Sequence, residues 1–176
     1  MHQRIDMADS IDAFLRCQKR LLGVDVPSKW EQGWENKERF AAYPIEVDGE
    51  LSDAKLEIAC LNTQDNIQFR IGIYIPFCIS RLDYTDEVHQ NTLAGWDDNI
   101  PQLVRGPHYH SWSLNKRFFK GATQAPRLRN ACRFPNGRDL KRSDFDSILR
   151  WFLAEHGIES LPSNHAIALP PKDWLL

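Results

Sequence analysis

Between Ile67 and Ile75 every second residue is large and apolar: Ile67, Phe69, Ile71, Ile73 and Ile75 alternate with Gln68, Arg70, Gly72 and Tyr74. A period of two sends the first set to one side of an extended backbone and the second to the other. No helix has that period. The chain is therefore built on a strand with one face to bury and one polar face, and an apolar layer must cover the first.

The neighbouring segments supply strands and a layer. Ala41, Tyr43, Ile45 and Val47 alternate in the same way, Asp48-Gly49 is a hairpin turn signal, and Leu56, Ile58 and Cys60 share one face of the next strand. Asn62 to Asn66 reads as another turn. Pro76 cannot donate to a ladder, which predicts a bulge or an edge before Phe77 to Leu82 continues. Asp83 to Gly106 has no pattern and reads as a long loop, and Pro107 to Leu114 as a short aromatic strand. Helical spacing occurs twice. Ile11, Phe14, Leu15, Leu21 and Leu22 predict a helix over about 10–22, stopped at Gly23. Phe145, Ile148, Leu149, Phe152 and Leu153 predict one over about 143–156, stopped at Gly157. The expected fold is α+β: one domain over 1–176, with a single antiparallel sheet of about four to six strands spanning about 30–114. An N-terminal and a C-terminal helix pack on the sheet, and an extended tail follows over 161–176.

At 176 residues such a domain buries a core without staples. The four cysteines, Cys17, Cys60, Cys78 and Cys132, form no C-x-x-C pair and lie too far from any histidine for a cysteine-based structural zinc site. The opening MHQRIDMADSIDAF has no apolar signal core and no apolar run is long enough to span a bilayer, so a reducing cytoplasm and no membrane association are expected. P-loop, dinucleotide-binding, H-E-x-x-H and G-x-S-x-G patterns are all missing, which disfavours nucleotide hydrolysis, dinucleotide redox chemistry and serine hydrolysis.

Charge is distributed unevenly. From Arg105 to Arg142 ten basic residues stand against one acid, Asp139, while the remainder is strongly acidic. Arg105, Lys120, Arg127, Arg129 and Arg133 would neutralise phosphates, and Tyr109 and Trp112 among them would stack on bases, the combination that binds RNA or single-stranded DNA. The bland alternative is a solvated basic face paired with acidic surface on this chain or on a neighbour.

The same stretch opens with His108 and His110, which share one face of a strand if the segment is extended. With His89 and Asp83 they offer three readings. Two adjacent imidazoles are an acid–base pair near neutral pH, with Lys116 and Arg117 as phosphate clamps. The set Asp83, His89, His108 and His110 is also a ligand set for a divalent metal. An exposed strand that happens to carry two histidines is the third. No other cofactor is implied.

The succession Arg81-Leu82-Asp83, His89-x-Asn91, Gly106-Pro107-His108-Tyr109-His110 and an apolar helix from Asp144 resembles a family of uncharacterised phage and prophage proteins. In that family a Leu-Arg-Leu-Asp strand precedes His-x-Asn and Pro-His-x-His-x-Tyr. More faintly, it resembles the TumE-type toxins of toxin–antitoxin pairs. The likeness spans roughly Ile67 to Ile158, and departs in placing Ser111 before Trp112. It implies a setting in mobile elements and host–phage conflict. The residues themselves leave three functions open: a toxin-like ribonuclease, a non-enzymatic protein bound to an antitoxin or a host defence complex, or a metal-dependent phosphoesterase.

Overall fold

The computed structural model describes residues 7–33, 38–62, 67–92, 100–119, 128–134 and 144–171. Its centre is a meander. Strand β3 (Glu38–Val47) turns through Asp48-Gly49 into β4 (Glu50–Asn62), which pairs with β5 (Ile67–Ile75), and β5 reverses at Pro76 into β6 (Phe77–Tyr84). Both turn residues have positive φ, 49° at Asp48 and 88° at Gly49, the geometry of a tight hairpin turn. Pro76 marks a chain reversal instead of a bulge within one strand. Its missing N–H is harmless at the tip, and the register irregularity falls nearby, between Ile73 and Tyr74.

Short strands extend this meander on both sides. β1 (Lys19–Leu21) and β2 (Glu31–Gln32) pair with β3, β9 (His108–His110) pairs with β6, and β10 (Cys132–Arg133) pairs with β9. The result is an eight-stranded sheet, larger than the four to six strands expected. Strands of two or three residues hold too few positions for an alternation to register. A separate pair, β7 (Val88–Gln90) and β8 (Leu103–Arg105), forms inside what reads in sequence as loop. Every one of these ladders is antiparallel.

One face of the sheet is dry. Phe69, Ile71 and Ile73 are buried there, as the alternation requires; the side chain of Ile67 lies outside the described residues. Helix α3 (Phe145–Glu155) covers them, with the rings of Phe69 and Phe145 edge to face at 5.2 Å and Leu149 and Phe152 fully buried.

Helix α1 (Met7–Arg16) is shorter than predicted, because Lys19 to Leu21 leave it to pair with Val47 to Ile45. Leu21 reaches the core from a strand. The buried Lys19 ammonium closes the helix end by donating to the carbonyls of Phe14, Leu15 and Cys17. Among the described residues no helix is long and apolar enough to cross a membrane.

A polar thread crosses the dry layer. His156 donates Nδ1–H to the Phe152 carbonyl at 2.6 Å, which leaves Nε2 to accept from the Tyr109 hydroxyl at 3.2 Å; Ser80 Oγ lies 3.1 Å from that hydroxyl. Burial pushes the His156 pKa down from 6.5 to about 4, so the ring is neutral in the fold. The unfolded chain then binds a proton that the folded chain refuses. Stability from this group is complete above about pH 6.5 and declines as pH falls toward 4, by about 3 kcal/mol in all. Urea unfolding at pH 7 and pH 4.5 should show a smaller loss in His156→Gln than in the wild type. An equal loss would place the acid sensitivity elsewhere.

Candidate functional site

The polar face of the sheet carries the histidines. Register fixes the arrangement: Arg70 on β5 is opposite Asp83 on β6, Asp83 is opposite His108 on β9, and His108 is opposite Arg133 on β10. One row therefore reads Arg70, Asp83, His108, Arg133 across four strands. In the next row Arg81 stands opposite His110. The i, i+2 spacing does what extended geometry requires.

Asp83 is the hub. Its Oδ1 accepts from Arg70 Nε and its Oδ2 from Arg81 Nε, both at 2.9 Å. Oδ2 also lies 3.4 Å from His108 Nε2 and 3.3 Å from His110 Nε2. Burial would raise the pKa of this carboxyl, but the charges of Arg81 and Arg70, which donate to its two oxygens, outweigh it and hold it well below the usual carboxylate range. Asp83 is an anion at any ordinary pH.

His89 arrives from β7, which with β8 lies against this face. Its ring packs on His108 with centroids 5.1 Å apart and on His110 at 4.7 Å. One ring nitrogen from each of the three histidines lies within 4.8 Å of the others. All three rings use their remaining nitrogen in the same manner. His89 Nε2 is 3.0 Å from the Arg129 carbonyl, His108 Nδ1 is 2.9 Å from that of Gly106, and His110 Nδ1 is 3.2 Å from that of Asn130. A carbonyl oxygen only accepts, so those nitrogens carry the hydrogens and the tautomers follow. Burial, resisted by Asp83, pushes the His110 pKa down to about 4, so its other nitrogen, Nε2, is a lone pair near pH 7. That lone pair accepts from Arg81, whose Nη2 is 3.1 Å away, while facing the Asp83 carboxylate.

The platform for these rings was not apparent in the sequence. Asn115 accepts from the Asn130 N–H at 2.9 Å and donates to the Asn130 carbonyl at 2.9 Å, and Asn91 accepts from the Ala131 N–H at 2.7 Å and donates to its carbonyl at 2.9 Å. Two side-chain amides thus clamp residues 130–131, and the carbonyls of 129 and 130 orient two histidines. The side-chain amide of Asn130 is buried, with no hydrogen-bond partner among the described residues.

Other expected site residues lie elsewhere. Tyr109, between the two histidines in sequence, points to the opposite face into the core, with its ring against Trp151 and Phe152. Trp112 is buried and donates to Asp12 of α1 at 2.7 Å. Neither ring is available to stack on a base. Trp112 begins a short helix, α2 (Trp112–Asn115), which carries Lys116 to a salt bridge with Asp12. Lys116 is therefore not beside the histidines, and Arg117 next to it lies over the Phe118 ring. Arg105, Arg129 and Arg133 are exposed around the cluster. Lys120 and Arg127 lie outside the described residues, as do Arg138, Lys141 and Arg142, the Asn62 to Asn66 turn except its first residue, and Gly95 to Asp98. No family model, curated protein or solved structure matches this chain.

Proposed function

We propose that His89, His108 and His110, with Asp83, bind a divalent metal ion and that the protein is a metal-dependent phosphoesterase. The observation that carries this reading is the set of three imidazoles, each held by a backbone carbonyl through one nitrogen, with their other nitrogens gathered together beside a carboxylate. At His110 the metal would take the Nε2 lone pair that Arg81 occupies in its absence. Carbonyl-held rings are also how proteins orient metal-bound histidines. His89 Nδ1 and the Nε2 atoms of His108 and His110 would hold the ion, with Asp83 beside them.

When bound, such an ion supplies Lewis acidity and lowers the pKa of a coordinated water. The chain's own residues orient the ligands, and the guanidiniums of Arg70 and Arg81 beside them favour an anionic substrate such as a phosphate ester. The acid–base ribonuclease reading draws less support, since its clamps and stacking rings are placed elsewhere. The likeness to phage and prophage proteins supports a setting in host–phage conflict.

Equilibrium dialysis against zinc, cobalt or manganese should load about one ion per chain, and chelation should abolish hydrolysis of p-nitrophenyl phosphates. His89→Ala, at the half-buried ligand, should weaken uptake by about 10- to 100-fold with little change in melting temperature. Wild-type protein that takes up no metal would sink the proposal, and binding to a captured protein without catalysis would favour an interaction role.

A further inference from the structure

Beside the histidines lies a cleft of about 210 Å³, lined in part by Gln68, Arg70, Arg81, Asp83, Thr85 and His108. At roughly 30 Å³ per water it has room for about seven waters, enough for a phosphoryl group and part of one substituent. Arg70 and Arg81 bring two positive charges to its lining, and Asp83 and Glu87 two negative ones, so the cleft alone is close to neutral. A divalent ion placed among the histidines would leave this half-buried site with a net charge of about two positives, which a low-dielectric environment does not tolerate without an anion.

Resting on the metal reading above, we infer that the missing anion is the substrate's, and that it is a terminal phosphate: a phosphomonoester dianion instead of an internal diester. Charge and space both favour this. A diester brings one negative charge and two substituents, whereas a monoester brings two charges and one substituent into a cleft of limited volume. The arginines are suited to hold it. Guanidinium forks match phosphate oxygens, and the side chains of Arg70 and Arg81 are 38% and 27% exposed, which leaves them access to the cleft while they brace Asp83. As they engage the phosphate they give up part of their hold on Asp83, whose carboxylate becomes a better partner for the metal. Metal and phosphate should therefore bind cooperatively, each strengthening the other by the same factor.

The test uses the full chain with cobalt(II), followed by visible absorption at pH 7.5, alone and with methyl phosphate or dimethyl phosphate. Methyl phosphate should tighten cobalt binding by about tenfold or more, and dimethyl phosphate by less than about threefold. Arg70→Met and Arg81→Met should still bind cobalt alone, because they remove competing positive charge, but should lose the methyl phosphate effect. Should the methionine variants not fold, Arg70→Lys and Arg81→Lys keep the charge without the fork and should reduce the effect at least about threefold. Cobalt binding in the wild type that responds equally to both phosphates, or arginine variants that respond as the wild type does, would overturn the inference while leaving the metal site standing. A wild type that binds no cobalt would instead remove the metal reading, and this inference with it.

Discussion

Phe152→Ala is expected to lower the unfolding free energy by about 3–5 kcal/mol, the usual cost of deleting a fully buried phenyl ring. Phe152 has no exposure, and its ring stands 6.1 Å from that of Tyr109 and 4.4 Å from that of His156. Truncation leaves a cavity under the sheet that β-strand backbones cannot collapse to fill, because their ladders fix the spacing. The site lies on the opposite face, so metal uptake per folded molecule should be unchanged. Urea unfolding with a midpoint near that of the wild type would mean that α3 contributes much less than its burial implies.

Asp83→Ala should produce the second large effect, and on both properties. The substitution removes the carboxylate that accepts from the Arg70 and Arg81 Nε groups, leaving two guanidiniums close together on one sheet face. Breaking a buried ion pair from one side typically costs about 3–5 kcal/mol; the partial exposure of both arginines reduces this to about 2–3 kcal/mol. Metal affinity should fall by at least about tenfold through loss of the carboxylate. Asp83→Asn separates the two effects: the amide retains shape and one acceptor, so stability should recover in part while metal affinity stays low. If Asp83→Ala unfolds at the wild-type urea concentration and binds metal as the wild type does, Asp83 is not the hub that the geometry indicates.

His108 and His110 also require a revised expectation. On an exposed strand, truncating them would leave stability nearly unchanged. They are in fact buried, at 3% and 0% exposure, and each holds a backbone carbonyl, so their removal must cost stability as well. The half-buried His89 is the cleaner probe.

The sheet and its last helix were legible because their patterns are long. Phe69, Ile71 and Ile73 alternate over enough residues to exclude a helix, and Phe145 to Leu153 repeat for more than two turns. The edge strands were not, since Lys19 to Leu21 looks the same whether it ends a helix or begins a strand; the choice is made by its partner, Val47 to Ile45. At the site, the spacing of His108 and His110 carried the correct face. Applied one residue further, the same parity assigns Tyr109 to the core, where the structure places it. Aromatics among basic residues look alike in sequence whether they stack on bases or support a helix. Arg70 and Arg81 were visible as polar-face residues, but their convergence on Asp83 depends on the registers of three strands, which no local pattern records.

The carbonyls at 129 and 130 that aim His89 and His110 belong to the backbone, and a backbone acceptor exists whatever side chain is attached. The exposed Arg129 can therefore drift in identity without the rings losing their anchors, whereas gain or loss of one residue between Arg129 and Ala131 shifts the anchors relative to the amides that clamp them. The site is protected against substitution and vulnerable to length change. Relatives of this chain would then be recognised less by a shared motif in this segment than by a conserved count of residues across it.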